Sequence, residues 1–456
     1  MLETLRIQNF KSWQDTGDIA FGSLTGFFGT NSSGKSSILQ FLLMLKQTVE
    51  SSDRSQVLNL GDDSSYVELG TMHDILYHHE NPLDLIFKLL WKYSIPTVSG
   101  TAVPGNLTFS SWISYYNDRI FVEEFEYQLR TELEDQRIWT GKIKKQEDGA
   151  NSKYNLNIRD AGSITPTIFD LPRPSKFYLF PNQAHVAYRE NYLMEDLEYK
   201  LEELVDEIHY LGPLREYPHR LYIWGGEQPD GVGSSGERAV AALLASRNQE
   251  PTIDMGEGQP KRTVEEHVAY WLKELGMIHS FVVQPIAPNR KEYEVRIQRT
   301  AESASVFLTD VGFGVSQILP VLVLLFYVPE SSTVILEQPE IHLHPAVQAG
   351  LADVFVDAIK RRRLQIILES HSEHLLQRLQ RRMAEFGVDA DKGFDADKAK
   401  LYFTDIEAGR SKLTPLAIDN YGNISNWPTG FFGDPFADAA AMLDAEMKRR
   451  QAPSAS

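Results

Sequence analysis

The chain has 456 residues and no cysteine, with 63 acidic against 45 basic side chains and a formal net charge of −18. That length suits one large head carrying an insertion, or more than one folding unit. The missing cysteine excludes disulfides and thiolate metal sites, and the acidic balance argues against a surface coated by nucleic acid, though a local basic patch stays open.

In chain order, Met1 to Phe10 lacks the apolar centre of a signal peptide, and Leu5–Phe10 alternates as a short strand. Gly26–Gly29 reads as a second strand running into a glycine turn, and Ile38–Leu45, apolar on nearly all sides, as a buried helix. From about 84 to 160 the pattern becomes period two. Ile120/Val122, Phe125/Tyr127/Leu129 and Tyr154/Leu156/Ile158 alternate, with turn residues at Asn117-Asp118 and Asp148-Gly149, so an antiparallel sheet is expected. Glu190–Ile208 carries Leu193, Leu197, Leu201 and Leu204 on one face and reads as an amphipathic helix, too short for a convincing coiled coil. Tyr210–Arg215 follows as a turn and Gly225–Gly236 as an exposed loop. Val264–Leu275 reads as a helix, Tyr293–Arg299 as a strand and Ala452–Ser456 as a tail. The longest apolar run, Ile318–Val328, is too short to span a bilayer and reads as a buried helix. A cytoplasmic protein without membrane partners is expected.

Four segments carry chemistry. Gly29-Thr-Asn-Ser-Ser-Gly34-Lys35-Ser36 fits the G-x-x-x-x-G-K-[ST] phosphate loop. Its glycines let backbone N–H groups point inward, Lys35 reaches the β and γ phosphates, and the Ser36 hydroxyl suits magnesium. Thr333–Glu337 is an apolar strand ending in a carboxylate placed to hold that ion, directly or through water. Ile366–His371 is another apolar strand ending at a histidine, which either senses a γ-phosphate as a neutral imidazole or is simply satisfied at a strand end. Gly312-Phe-Gly314-Val-Ser316-Gln317 precedes the apolar helix. Its glycines offer N–H donors to a phosphate, or let the loop pack closely.

These four motifs, in this order, resemble the ABC-type ATPase heads of the RecF, SMC and OLD ATPases. More narrowly, Tyr210–Arg215, Glu337–Pro345 and Gly422–Phe432 are similar to a bacterial AAA-family ATPase group with an uncharacterised C-terminal domain. The resemblance implies that Gly312–Gln317 is a signature engaging the ATP of a second subunit, that Glu337–Pro345 is the acidic box and D-loop, and that His371 is the switch histidine. It also implies an anti-phage defence module with a separate effector. Two departures stand out. Too little chain follows His371 for the Toprim nuclease domain of the OLD enzymes. Gln338 occupies the place where such heads carry a glutamate that polarises water; it can position water but cannot take its proton.

The resulting expectation is an α/β fold: an ABC-type P-loop ATPase head with an antiparallel β-subdomain and a helical insert. The head is drawn from 1–80 and 301–430, the insert from 81–300, and a C-terminal helix and tail from 431–456. ATP is expected at Gly29, Asn31, Ser33, Gly34, Lys35, Ser36 and Ser37, with Gly312, Gly314, Ser316 and Gln317 supplied by a second copy of the chain. Mg2+ falls to Ser36 and Glu337, and slow hydrolysis to Gln338, Glu340 and His371. The expected partners are an ATP-dependent homodimer and a separate effector such as a nuclease. Lys142–Lys145 and Arg361–Arg363 are the candidate basic clusters for weak nucleic-acid contact, or else solvated faces. His342 and His344 form an H-x-H without an evident third ligand, so a turn outweighs a metal site.

Overall fold

The computed structural model describes residues 1–79, 84–95, 103–131, 137–146, 152–160, 163–164, 167–188, 193–249, 253–256, 258–428 and 441–447. The strands and helices that position the site are, in order, β1 (Leu2–Phe10), β2 (Trp13–Asp15), β3 (Leu24–Gly29), α1 (Lys35–Glu50), β4 (Leu85–Ile95), β5 (Val103–Tyr116), β6 (Arg119–Thr131), β7 (Arg137–Lys145), β8 (Tyr154–Asp160), α2 (Leu193–Asp206), β9 (Ile208–Leu211), α3 (Val264–Glu274), β10 (Ser280–Pro285), β11 (Glu292–Gln298), α4 (Phe313–Tyr327), β12 (Thr333–Glu337), α5 (Pro345–Arg362), β13 (Gln365–Glu369), α6 (Glu373–Ala384), β14 (Ala399–Glu407) and β15 (Arg410–Pro415).

Three sheets result. The antiparallel one runs β8-β7-β6-β5-β4-β1-β2, with short strands paired to β8 and β1. The second runs β9-β12-β13-β3-β14-β15 and is parallel except for β15. The third is small and built on β10 and β11. The central strands β12 and β13 are buried along their whole length because both faces are covered. Phe27, Ile335, Ile367 and Tyr402 enter the core shared with α1, α2 and the antiparallel sheet. Their neighbours Phe28, Val334, Leu336, Ile366, Leu368 and Phe403 enter the core shared with α3, α4, α5 and α6. The period of two thus sends alternate side chains into different cores. Between the two sheets, α1 buries residues around most of its circumference, as its all-round apolarity predicts.

The α/β class and the antiparallel sheet agree with the sequence reading; several boundaries do not. Within 81–300, strand β9 lies in the parallel sheet beside β12, and β4 pairs with β1 of the N-terminal segment. The helix expected to reach Ile208 stops at Asp206, and Ile208–Leu211 is a strand, so the stretch from Tyr210 is a turn only after Leu211. The 225–236 loop is a loop, yet Val232 is fully buried within it. The helix α4 begins at Phe313 rather than Ile318, with Gly312 as its N-cap. A helix occupies 441–447, while Asp148-Gly149, 429–440 and 448–456 lie outside the described residues. Among the described residues no helix is long and apolar enough to cross a membrane.

Candidate functional site

The site lies at the C-terminal edge of the parallel sheet. There β3 runs into the 29–37 loop and β12 and β13 end side by side. The loop is shaped by positive φ at Gly29 (140°), Ser32 (60°) and Gly34 (93°). A Cβ on Gly29 would lie 2.0 Å from the Thr404 carbonyl oxygen, and one on Gly34 within 3 Å of Ser411, Ser12 and Trp13, so both positions require glycine. The loop is tied down from below. Ser33 Oγ shares a 2.6 Å hydrogen bond with Thr404 Oγ1, and Trp13 Nε1 donates to the Gly34 carbonyl at 3.0 Å. Asn31 and Ser32 stay exposed, and Ser36 and Ser37 open α1.

Lys35 is buried rather than standing free at the loop mouth. Its Nζ donates to the carbonyls of Thr30 (2.7 Å) and Gly29 (3.2 Å) and lies 4.0 Å from Glu369 Oε1. Burial draws its pKa down, against the pull of Glu369 and Glu340.

Parallel pairing puts Glu337 of β12 directly across from Glu369 of β13, and Glu369 across from Phe27 of β3. Glu369, which the sequence reading left without a role, therefore stands between Glu337 and the phosphate loop. The signal was present: Val-Ile-Leu-Glu337 and Ile-Ile-Leu-Glu369 are the same apolar strand with the same carboxylate tip. Burial, with the neighbouring Glu369, pushes Glu337 up to about 7, while the Tyr210 hydroxyl, donating to Glu337 Oε1 at 3.2 Å, opposes the shift. Burial also raises Glu369, against the Ser36 hydroxyl, Lys35 and Gln338.

Beyond β12 the chain turns sharply. Gln338 has φ 45° and donates its N–H to the Glu369 carbonyl at 2.9 Å. Glu340 is buried and accepts the His371 N–H at 2.7 Å; burial raises its pKa. His371 stands 4.0 Å from Glu369 Oε1. Burial and Lys35 pull its pKa down, against the Gly29 backbone, and so favour the neutral imidazole. Lys35, Glu337, Gln338, Glu340, Glu369 and His371 thus form one continuous cluster, with Ser36 beside Glu369.

Among the described residues no hydrogen bond joins the Gly312–Gln317 segment to the 29–37 loop; Phe313 and Gly314 instead lie against His342 and Leu343. Gly312 is exposed and Gly314 half-buried, whereas Ser316 and Gln317 are buried in their own subunit. Ser316 Oγ is occupied by the Phe313 carbonyl at 2.7 Å. A contact from this segment to a second copy would therefore come from Gly312 and Gly314 and the first N–H groups of α4. Next to them Phe313 meets Tyr217 and His342. His344 caps α5 through Nδ1, which accepts the Ala346 N–H at 3.3 Å. The H-x-H is a turn and a cap. Both basic clusters are paired: Lys142 and Lys144 with Glu124, Lys145 with Glu123, Arg361 with Asp357, Arg362 and Arg363 with Glu330.

Three family models match the chain. Residues 1–194 match "AAA ATPase domain", 282–377 match "AAA domain, putative AbiEii toxin, Type IV TA system", and 394–441 match "Protein of unknown function (DUF3696)". No curated protein sequence matches it. The fold is similar to a solved Smc head bound to the C-terminal winged-helix domain of ScpA, at 12% identity and a TM-score of 0.41, covering 92% of this chain and 98% of that one. It is also similar to the SMC head domain from Thermotoga maritima, at 12% identity and 0.38, covering 91% and 99%.

Proposed function

From a chain that matches two AAA ATPase domain models and a C-terminal model of unknown function, we propose a cytoplasmic ATPase of the ABC type that binds ATP with Mg2+ and hydrolyses it slowly. It dimerises around ATP and acts as the regulatory or sensor subunit of a separate effector, such as a nuclease in an anti-phage defence module. The observation that carries the reading is the meeting of the glycine-shaped loop, Lys35, the paired tips Glu337 and Glu369, and neutral His371 on one sheet edge.

The residues fit a divalent cation. Two buried carboxylates face each other across neighbouring strands, and Glu369 Oε2 is buried with no hydrogen-bond partner among the described residues. Ser36 and Glu337 would hold Mg2+, which supplies charge neutralisation at the phosphates. The backbone N–H groups of the 29–37 loop and Lys35 bind the phosphate chain, and His371 reads the terminal phosphate. Gln338 orients water, and Glu340, just past the turn at Gln338, is the carboxylate assigned to accept its proton, which makes turnover slow. The exposed Gly312 and half-buried Gly314 at the start of a long helix support a contact from a second copy in trans, so that ATP closes the dimer and its loss loosens it. A family description naming a type IV toxin–antitoxin system supports a two-component arrangement. The rival reading, a head that clamps DNA directly, is weakened because both candidate basic clusters are paired with acidic neighbours.

The test is nucleotide binding and sedimentation of the full chain with Mg2+ and a slowly hydrolysed ATP analogue, followed by hydrolysis of ATP itself. Binding with conversion of monomer to dimer is expected. A chain that stays monomeric with saturating analogue refutes the trans contact, and one that binds no nucleotide refutes the reading as a whole.

A further inference from the structure

The stretch Tyr210–Arg215 has so far supplied one hydroxyl. It is where β9 leaves the parallel sheet. Because Leu211 pairs with Leu336, the next residues emerge beside Glu337. The loop is fixed at both ends: Gly212 N–H donates to Ser234 O at 2.8 Å and Glu216 N–H to Ser235 O at 2.9 Å. From it Arg215 turns inward and is only 8% exposed, and its Nε, Nη1 and Nη2 all lack a hydrogen-bond partner among the described residues. A buried guanidinium with every donor idle is costly. The structural arginines of this chain do not share that condition. Arg382, 4% exposed, pairs with Asp353 at 2.6 Å and with Glu385, and Arg362 donates to the Val328 carbonyl at 2.7 Å. The groups whose charge Arg215 feels are Tyr210, Glu337 and Glu340.

One of these has a matching deficit. Glu340 Oε1 is held by the His371 N–H, while Oε2 is buried without a hydrogen-bond partner of good geometry among the described residues, the nearby Ser370 hydroxyl only opposing the rise of the Glu340 pKa. Glu337, by contrast, is already held by Tyr210 and is the carboxylate best placed for the cation. With a dication on Glu337, like charge would turn the guanidinium toward Glu340.

We propose that Arg215 is a positioning residue: in the nucleotide-loaded state its guanidinium takes the free Oε2 of Glu340 and holds that carboxylate toward the attacking water. This rests on the reading of Glu340 as the proton acceptor. A planar fork that binds one carboxylate oxygen while the backbone of His371 holds the other fixes both position and rotation. It also gives an idle, costly charge a use that arises only when the site is filled.

The test uses the full chain with R215M, R215K, E340Q and the double variant R215M/E340Q. Three quantities are read: single-turnover hydrolysis of MgATP, affinity for a slowly hydrolysed analogue, and the melting temperature without nucleotide. R215M is expected to slow the chemical step about ten- to a hundredfold and to leave analogue affinity within about twofold. It should not lower the melting temperature, because it removes an uncompensated charge. R215K should recover part of the rate, and the double variant should be no more than about twofold slower than E340Q, as for groups acting as one unit. A tenfold loss of analogue affinity in R215M would mean that Arg215 grips the phosphates, overturning the pairing. So would rate losses that multiply in the double variant, or a lowered melting temperature without rescue by lysine. Hydrolysis by R215M at the wild-type rate sinks this inference and leaves the ATPase reading standing. No hydrolysis by the wild type sinks the ATPase reading and this inference together.

Discussion

Replacing Glu369 with glutamine tests the electrostatics of the paired strand tips. Glu337 titrates at about 7, first because it is buried and second because Glu369 lies across from it. Neighbouring strands run about 4.8 Å apart. Two unit charges about 5–6 Å apart at an effective dielectric near 20 repel by about 3 kcal/mol, or about two pKa units at 1.36 kcal/mol per unit. Lys35, 4.0 Å from Glu369, offsets part of that charge, so about one unit should remain for Glu369→Gln to release. The sign follows from competition: a protonated Glu337 cannot hold a cation. Magnesium–nucleotide affinity in the wild type is therefore flat above about 7 and falls about tenfold per pH unit below it. In Glu369→Gln the bend moves down to about pH 6. The assay is calorimetric titration of a slowly hydrolysed MgATP analogue across pH, repeated in two buffers of different ionisation enthalpy. At pH 7 the wild type should release about half a proton per nucleotide bound, and the variant about a tenth. Any loss of a direct contact to the metal would lower the plateau without moving the bend. A bend and a proton count identical in the two proteins would refute the coupling between the strand tips.

Three further outcomes are expected. Lys35→Ala abolishes nucleotide binding while the chain stays folded, with a lowered melting temperature because the buried Glu369 loses its cationic neighbour; unchanged affinity by equilibrium binding would sink the phosphate-loop assignment. Gly314→Trp leaves nucleotide binding by the monomer intact but blocks association with the analogue in sedimentation; a Cβ there sits 3.3 Å from the flexible end of Met277, and an unchanged melting temperature checks that the larger ring leaves the fold in place. Gln338→Glu accelerates single-turnover hydrolysis and Glu340→Gln slows it by about 10²–10⁴-fold, whereas wild-type turnover by Glu340→Gln would leave Gln338 and His371 to position water unaided.

The sequence was most legible where a signal is local. The phosphate loop, the apolar strands ending at Glu337 and before His371, and the alternation of β6 and β8 are each contained within a dozen residues. What was missed depends on pairing between distant segments. Glu369 becomes a site residue only because β13 lies between β12 and β3, an arrangement no spacing along the chain expresses. Arg215 is unremarkable in sequence, and its burial without partners exists only once β9 has joined the parallel sheet. The boundary errors have the same origin. Ile208 extends the apolar face of α2 and also begins a buried strand, and period alone does not separate the two uses. The start of α4 was placed late because Gly312 and Gly314 look like loop residues, although only Gly312 is outside the helix.

The placement of β14 and β15 bears on how the protein is made. The strand β3, synthesised among the first thirty residues, is flanked by β13 on one side and β14 on the other, and the nearer of these partners begins at Gln365. The phosphate loop rests on Thr404 and Ser411, from the segment matched as a domain of unknown function. The centre of the proposed nucleotide site therefore lacks both sheet neighbours, and of its floor holds only the Ser12 and Trp13 side, while most of the chain is being translated. Such distant pairings form late and slowly. A ribosome-bound chain ending before residue 399 would hold a phosphate-loop sequence without a phosphate site, and nucleotide could stabilise only a molecule in which the early and late segments have already met.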